Sequence, residues 1–96
     1  MDTLKDDEVT ARLQTLAGWE RKGGGIAKTY ELSDFPHALG FVVEVGVIAE
    51  AVWHHPDITL HGWNKVDITC SSHDADAVTK RDVDLAAKIE EAFAKR

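Results

Sequence analysis

A long apolar stretch constrains the fold of this chain more than any other feature. It runs from Leu39 to Trp53, and apart from glycine only Glu44 and Glu50 interrupt it. Its length favours a helix, although its β-branched residues keep a strand as the competing interpretation. A helix that is apolar almost all round must be covered on two sides. We therefore expect one side to pack on a sheet and the other to meet a second subunit.

The residues at the two ends of this stretch also fit a helix. Ser33 or Asp34 would cap its first turn, where Pro36 is tolerated because a backbone N–H would have no partner there. We expect the helix to run to about Trp53. His54-His55-Pro56 follows, and the proline forces the residue before it out of helical geometry.

Capping residues and apolar spacing predict two further helices. The first has an acidic first turn, ends at Gly18, and carries apolar residues at helical spacing: Val9, Leu13, Leu16 and Ala17. The last begins at Thr79-Lys80-Arg81-Asp82, which is like a capping box with Asp in place of Glu. This last helix would bury Leu85, Ala86, Ile89 and Phe93.

Two predicted hairpins lie between the helices. Residues 19–22 would pair with 26–32 across Gly23-Gly24-Gly25, where glycine supplies any positive φ that the turn needs. Residues 58–61 would pair with 66–71 through a turn around 62–65. The order α-β-β-α-β-β-α predicts a single α+β domain over residues 1–96, with a four-stranded antiparallel sheet and three helices on one face.

Composition and charge argue against several classes of protein. Apolar residues make up 44%, too many for a disordered chain, and a formal net charge of −6 disfavours direct nucleic-acid binding. We expect no membrane partner, because the central helix is too short and too charged to span a bilayer. Cys70, the only cysteine, fits a reducing compartment and predicts a buried core residue rather than a nucleophile. The acidic N-terminus lacks an apolar signal segment, so we expect a cytoplasmic protein.

The histidines are the candidates for chemistry. His54 and His55 stand where the central helix must stop, and His73 follows the strand over 66–71. If that strand runs beside the end of the helix, the three rings converge, and imidazole transfers protons near neutral pH. His37 and His61 have polar neighbours and are predicted to be solvated surface residues.

Zinc binding is the alternative use of three histidines. Adjacent residues point apart, however, and the His-x-x-x-His spacing of a helical zinc site is absent. We therefore expect no metal and no other cofactor.

Four runs of residues closely resemble the pterin-4a-carbinolamine dehydratases, and the resemblance extends over nearly the whole chain. They are EAVWHHPD at 50–57, WNKV at 63–66, SHD at 72–74 and TKRD at 79–82. The resemblance implies dehydration of a 4a-hydroxytetrahydropterin to quinonoid dihydropterin, in the recycling of tetrahydropterin after an aromatic amino acid hydroxylase has used it. The family's fold, three helices against a four-stranded antiparallel sheet, agrees with the predicted order.

The resemblance also implies the site. The family's site residues carry over onto Glu50, His54, His55, His73 and Asp82. We expect His54 and His73 to share the acid and base roles and His55 to position the pterin. The two carboxylates would orient the imidazoles. The remaining contacts to substrate would come from the Trp63 ring and from the segment Ser72, His73 and Asp74.

Simpler structural roles remain open for some of these residues. Asp82 could serve only as a favourable residue at a helix start, and Glu50 only as a polar position on a buried helix. Trp53 and Trp63 could be packing residues.

Other expectations concern partners and one departure from the family pattern. The alternative function is non-catalytic binding, since animal members also act as dimerisation cofactors of a homeodomain transcription factor and some relatives look like Rubisco assembly factors. We expect a pterin as the small-molecule ligand and a homo-oligomer, either a tetramer built on packed helices or a dimer through sheet edges. Asp76-Ala77 stands where the family usually has Gly-Gly, so the loop beside His73 could follow a different path.

Overall fold

The structure, a computed structural model, describes residues 3–96. The elements are α1 (Asp6–Leu13), β1 (Glu20–Lys22), β2 (Gly25–Glu31), α2 (Phe35–Val52), β3 (Asp57–His61), β4 (Lys65–Ser71) and α3 (Lys80–Ala94). All strand pairs are antiparallel, in the order β1-β2-β4-β3, so that β1 and β3 are the sheet edges. The predicted α+β fold and element order are confirmed.

The core lies between the three helices and one face of the sheet. Inward-facing strand residues alternate with polar ones, as along β4, where Val66, Ile68 and Cys70 are fully buried. The predicted burial of Cys70 is confirmed. The opposite face of the sheet carries polar residues such as Thr29 and Thr59, both exposed.

Helix α2 begins and ends close to the predicted positions. The Asp34 carboxylate accepts a hydrogen bond from the backbone N–H of His37 at 2.9 Å, and Pro36 lies in the first turn. Trp53 ends the helix in the left-handed conformation, with φ 56°. The strand interpretation of this apolar stretch was wrong, because these end signals and the length of the stretch outweigh β-branched propensity.

One face of α2 is buried and another is apolar and exposed. The buried residues are Ala38, Phe41, Val45 and Ala49. The exposed ones repeat every four residues as Phe35, Leu39, Val43 and Val47, and we call these four the α2 stripe. By length and by its mean hydropathy of 1.5 alone, α2 could cross a membrane. The sequence argument that this helix is too short and too charged to span a bilayer was therefore wrong. A core helix of a folded protein meets the same measures, and α2 packs one face against the sheet.

Two local details differ from the sequence predictions. Helix α1 ends at Leu13 rather than at Gly18, because Thr15 bonds back to the Arg12 carbonyl with both its hydroxyl, at 2.7 Å, and its backbone N–H. The first hairpin turns through two glycines, and Gly25 instead opens β2. A Cβ on Gly25 would lie 2.4 Å from the Cys70 carbonyl oxygen, so only glycine fits this close approach.

A polar network fixes α3 on the sheet. Glu90 of α3 accepts hydrogen bonds from the Tyr30 hydroxyl at 2.6 Å and the Lys28 ammonium at 2.8 Å, both on β2. Burial, followed by the bond to Glu90, raises the pKa of Tyr30 well above its ordinary value. These bonds hold the second half of α3 against β2.

Candidate active site

The strand register brings the histidine-rich segments together. Asp57 of β3 pairs with Thr69 of β4, so the start of β3 lies beside the end of β4. The residues just before β3 and just after β4 therefore meet at one end of the sheet. There they surround an open cavity of about 330 Å³, lined by Trp53, His54, His55, Ser71, Ser72, His73, Asp74 and Arg81. The expected convergence of the three rings is observed.

His54 is the buried histidine of this cluster, with only 6% of its side chain exposed. Its Nε2 lies 2.6 Å from Oδ1 of Asp82, a residue with no exposed surface. The other carboxylate oxygen of Asp82 accepts from the Thr79 backbone N–H at 2.9 Å and the Ser72 hydroxyl at 3.0 Å. Both oxygens of this buried carboxylate are thus hydrogen-bonded, which is the condition for holding a charge away from water.

The contacts of Asp82 are compatible with both of the roles that the sequence left open. Its bond to Thr79 belongs to the start of α3, where a carboxylate also faces the positive end of the helix dipole. Its other oxygen holds His54 at the cavity wall. Burial, and after it the charge of Asp82, raises the pKa of the nearby Cys70 thiol to about 12, which makes Cys70 a poor nucleophile.

Arg81 is the residue that sequence reasoning missed. Its Nη2 lies 2.8 Å from Nδ1 of His54, and it lines the cavity. A guanidinium can only donate, so Nδ1 accepts, and the imidazole proton lies on Nε2, where it is donated to Asp82. His54 is therefore neutral in this arrangement. In the sequence, the one indication of a role for Arg81 was its position in the run 79–82, directly before Asp82.

His55 has a carboxylate partner of a different kind. Its Nε2 lies 2.8 Å from Oε1 of Glu50, and the two side chains are 56% and 64% exposed. The Trp53 ring packs edge-on against the imidazole, with the ring centres 5.5 Å apart. The predicted pairing of Glu50 with an imidazole is thus present, and this pair stands in solvent at the rim.

His73 lies in the loop after β4, and its side chain is exposed. Its Nε2 is 3.5 Å from the Ser71 hydroxyl. The Ser72 carbonyl accepts from the backbone N–H groups of Ala75 and Asp76, which closes the loop into a turn. Asp76, at the departure from the family pattern, has φ 50°, a conformation that glycine adopts without strain.

Trp63 lies outside the cavity of its own chain. It is in the turn between β3 and β4, so the seven residues of β4 separate it from the loop that carries His73. At about 3.3 Å per residue, this strand spans roughly 20 Å. His37 and His61, expected at the surface, are exposed and pair with Asp34 and Asp67. Within residues 3–96, no group of three metal-ligating side chains is arranged to hold an ion.

Comparison with known proteins gives concordant findings. A family model described as "Pterin 4 alpha carbinolamine dehydratase" matches residues 2–92. A Roseiflexus castenholzii protein named "Putative pterin-4-alpha-carbinolamine dehydratase" is 50% identical over 92% of this chain and 94% of its own. A Natronomonas pharaonis protein of the same name is 39% identical over 94% and 95% of the two chains.

Two solved structures share the fold. The crystal structure of a "transcriptional coactivator/pterin dehydratase" from Brucella melitensis superposes with a TM-score of 0.86 at 29% identity, covering 94% of this chain and 97% of that one. A pterin dehydratase-like protein described as a RuBisCO assembly factor in the alpha-carboxysome superposes with a TM-score of 0.61 at 18% identity, covering 76% and 83%. The second likeness concerns the fold alone.

Proposed function

Because the chain belongs to the pterin-4a-carbinolamine dehydratase family, we propose that its cavity catalyses loss of water from a 4a-hydroxytetrahydropterin. The observation that carries this proposal is the convergence of His54, His55 and His73 on one cavity. Its volume of about 330 Å³ is at the lower end of ligand pockets and suits a flat bicyclic ring. The product, quinonoid dihydropterin, would then be reduced to tetrahydropterin by another enzyme.

The reaction needs two proton transfers. One proton goes to the 4a-hydroxyl so that it leaves as water, and one leaves a ring nitrogen so that the new double bond forms. The sum is redox-neutral, and water is the only second product. Two imidazoles placed on either side of the substrate can supply both transfers near neutral pH.

We assign the base role to His54. Its Nε2–H donates to the Asp82 carboxylate, which leaves Nδ1 as the accepting nitrogen on the cavity side, where Arg81 also lies. When Nδ1 takes a proton from the substrate, the buried carboxylate stabilises the imidazolium, as in other His–Asp pairs. The guanidinium cannot donate to a protonated nitrogen, so Arg81 moves aside in this step.

We assign the acid role to His73. Its side chain is exposed, so it can exchange protons with water between turnovers, and it lines the same cavity as His54. His55, held by Glu50 and flanked by Trp53, positions the pterin. The loop at 72–74, closed by the bonds to the Ser72 carbonyl, presents backbone groups to the edge of the pterin ring.

A dehydration assay tests this function. The carbinolamine is generated with a phenylalanine hydroxylase, and its decay is followed by absorbance with wild-type protein and with His73→Ala. We expect acceleration by wild type and a loss on the order of 10²-fold in the variant. His37→Ala is the control, since His37 is also exposed but pairs with Asp34 outside the cavity, and it should keep full activity. No acceleration by folded wild-type protein would contradict the proposal and favour a binding role.

We also infer that the chain forms a homo-oligomer through the α2 stripe. Val43 and Val47 are 66% and 65% exposed, and four such apolar residues on one helix form a patch that a second copy would cover. Light scattering at micromolar concentration checks this inference. A monomer under those conditions would contradict it.

A further inference from the structure

A serine continues the buried row of side chains on β4. The residues of this strand that face the helices are Val66, Ile68 and Cys70, all fully buried. Ser72 follows in the same alternation, just after the strand, and is only 2% exposed. Burying a hydroxyl costs free energy unless it is hydrogen-bonded. A side chain that needs polar partners thus stands where the row is otherwise apolar.

The Ser72 hydroxyl has two partners, and both belong to the start of α3. Its Oγ lies 2.8 Å from the Thr79 hydroxyl and 3.0 Å from Oδ2 of Asp82. A carboxylate can only accept, so Ser72 donates its one hydroxyl proton to Asp82, and the Thr79 hydroxyl donates to Ser72. The hydroxyl is therefore used within the protein, on the same carboxylate that holds His54.

The backbone of Ser72 closes the loop that carries His73. Its carbonyl accepts from the backbone N–H groups of Ala75 at 3.0 Å and Asp76 at 2.9 Å. The His73 ring lies 3.5 Å from the Ser71 hydroxyl, which is too far for a strong hydrogen bond. The position of His73 therefore depends chiefly on the backbone of its loop.

We propose that Ser72 is a positioning residue, which ties the loop of His73 to the carboxylate that holds His54. This inference rests on the proposed function, because it concerns the two imidazoles to which proton transfer is assigned there. One oxygen of Asp82 accepts from His54 and the other accepts from Ser72. The bond between Ser72 and Asp82 joins the residue before the assigned acid to the partner of the assigned base.

The chemical consequence is a fixed spacing between the two proton-transfer groups. A pterin is a rigid bicyclic ring, so its 4a-hydroxyl and its ring nitrogen cannot both adjust to imidazoles that move independently. A misplacement of about 1 Å can cost on the order of 10²-fold in rate. His73 is exposed, and an exposed loop is mobile unless it is bonded to something buried. Ser72 and Asp82 supply that anchor.

The anchor is tested without reference to catalysis. Ser72→Ala removes the hydroxyl, and hydrogen exchange followed by NMR reports on the Ala75 and Asp76 amides, whose bonds close the loop. Loss of a hydrogen bond to a charged group should speed their exchange roughly tenfold. The amides of α2 should keep their wild-type rates, which shows that the variant is folded. Unchanged exchange at Ala75 and Asp76 would overturn the anchor.

Tyr30→Phe is the matched control for this substitution. It also removes a buried hydroxyl that is donated to a carboxylate, in this case Glu90 at 2.6 Å, and it lies outside the cavity. It should leave kcat and the exchange of the loop amides unchanged. Faster loop exchange in Tyr30→Phe, equal to that in Ser72→Ala, would mean that general destabilisation opens the loop, and it would overturn the proposal.

A double-mutant cycle tests the link to catalysis. Ser72→Ala should lower kcat roughly tenfold in the wild-type background. In the His73→Ala background it should change kcat by less than about twofold, because a residue that acts through His73 has nothing left to position. A second tenfold loss in that background would show that Ser72 acts through another group, and it would overturn the proposal.

A second variant carries the same measurements if Ser72→Ala does not fold. Ser72→Cys keeps the shape of the side chain and replaces the hydroxyl with a weak donor, so both effects should appear at reduced size.

The failures of the two proposals are distinguishable. If wild-type protein does not accelerate dehydration, the proposed function fails, while hydrogen exchange still decides whether Ser72 anchors the loop. If wild type is active and the exchange or the cycle gives the contrary result, only the role of Ser72 falls.

Discussion

Two neighbouring histidines, each bonded to a carboxylate, occupy opposite environments. His54 lies 2.6 Å from Asp82 and His55 lies 2.8 Å from Glu50. The first pair is 6% and 0% exposed, whereas the second is 56% and 64% exposed. The nitrogen–oxygen distances of the two pairs are nearly equal. The pairs differ in how far their carboxylates are buried.

The exposed pair is a weak interaction and the buried pair is a constrained one. Water and salt screen the His55–Glu50 pair, and such pairs contribute about 0–1 kcal/mol. Asp82 has no exposed surface and accepts three protein hydrogen bonds, so its partners are fixed together. We conclude that the His54 ring is held in one orientation, while the exposed His55 ring remains able to turn.

The largest expected effect comes from Asp82→Asn. An amide has one accepting and one donating end, so its NH₂ must face a buried donor, either His54 Nε2–H or the Thr79 N–H. We expect a loss of about 2–3 kcal/mol in the free energy of unfolding. Because His54 loses the carboxylate that stabilises its imidazolium, kcat should fall on the order of 10²-fold. Urea titration and the dehydration assay measure the two effects.

Asp67→Asn is the matched control for this substitution. Asp67 bonds His61 at 3.0 Å, but the pair is 45% and 37% exposed on the open sheet face and lies outside the cavity. Its removal should change the unfolding free energy by less than about 1 kcal/mol and leave kcat unchanged. Equal losses in both variants would mean that burial does not distinguish these pairs.

Local chemistry made much of the fold predictable from the sequence. Pro36 and the His-His-Pro run bound α2 closely, because proline acts on its immediate neighbours. The end of α1 was not predictable from apolar spacing, since the side chain of Thr15 competes for a backbone carbonyl. The β-strand pairs, by contrast, followed from alternation and glycine turns.

The candidate site was only partly predictable. His54, His55 and His73 could be chosen because each stands where an element ends. The role of Arg81 could not, since it depends on how α3 is rotated against the end of α2, and a surface arginine in a helix start is usually solvated. The position of Trp63 depends on strand length and register, which place it away from the cavity of its own chain.

A smaller effect is expected from Glu50→Gln, which changes the carboxylate of the exposed His55–Glu50 pair. The amide can still accept from His55, and water replaces what is lost, so the unfolding free energy should change by less than about 1 kcal/mol. Since His55 is assigned to positioning, KM should rise a few-fold with kcat nearly unchanged. Steady-state kinetics give both constants. A fall in kcat as large as that of Asp82→Asn would show that the two imidazoles act in the same way.

The smallest effect on activity is expected from Cys70→Ala, which tests whether the surroundings of Asp82 exclude water. Burial, and then the charge of Asp82, raises the pKa of the thiol to about 12, whereas an unfolded thiol ionises near about 8.5. Because the folded pKa is the raised one, this contribution to stability is complete below about pH 8.5 and is lost as pH rises toward 12. The unfolding free energy of wild type should therefore fall by up to about 1.4 kcal/mol per pH unit above that point.

Cys70→Ala should abolish the slope between about pH 8.5 and 10, and the buried Tyr30 hydroxyl should maintain a decline above about pH 10 in both proteins. Urea titrations across this range supply the slopes. A flat wild-type profile up to pH 10 would mean that water reaches this part of the core, and the contrast between the buried and the exposed pair would lose its physical basis.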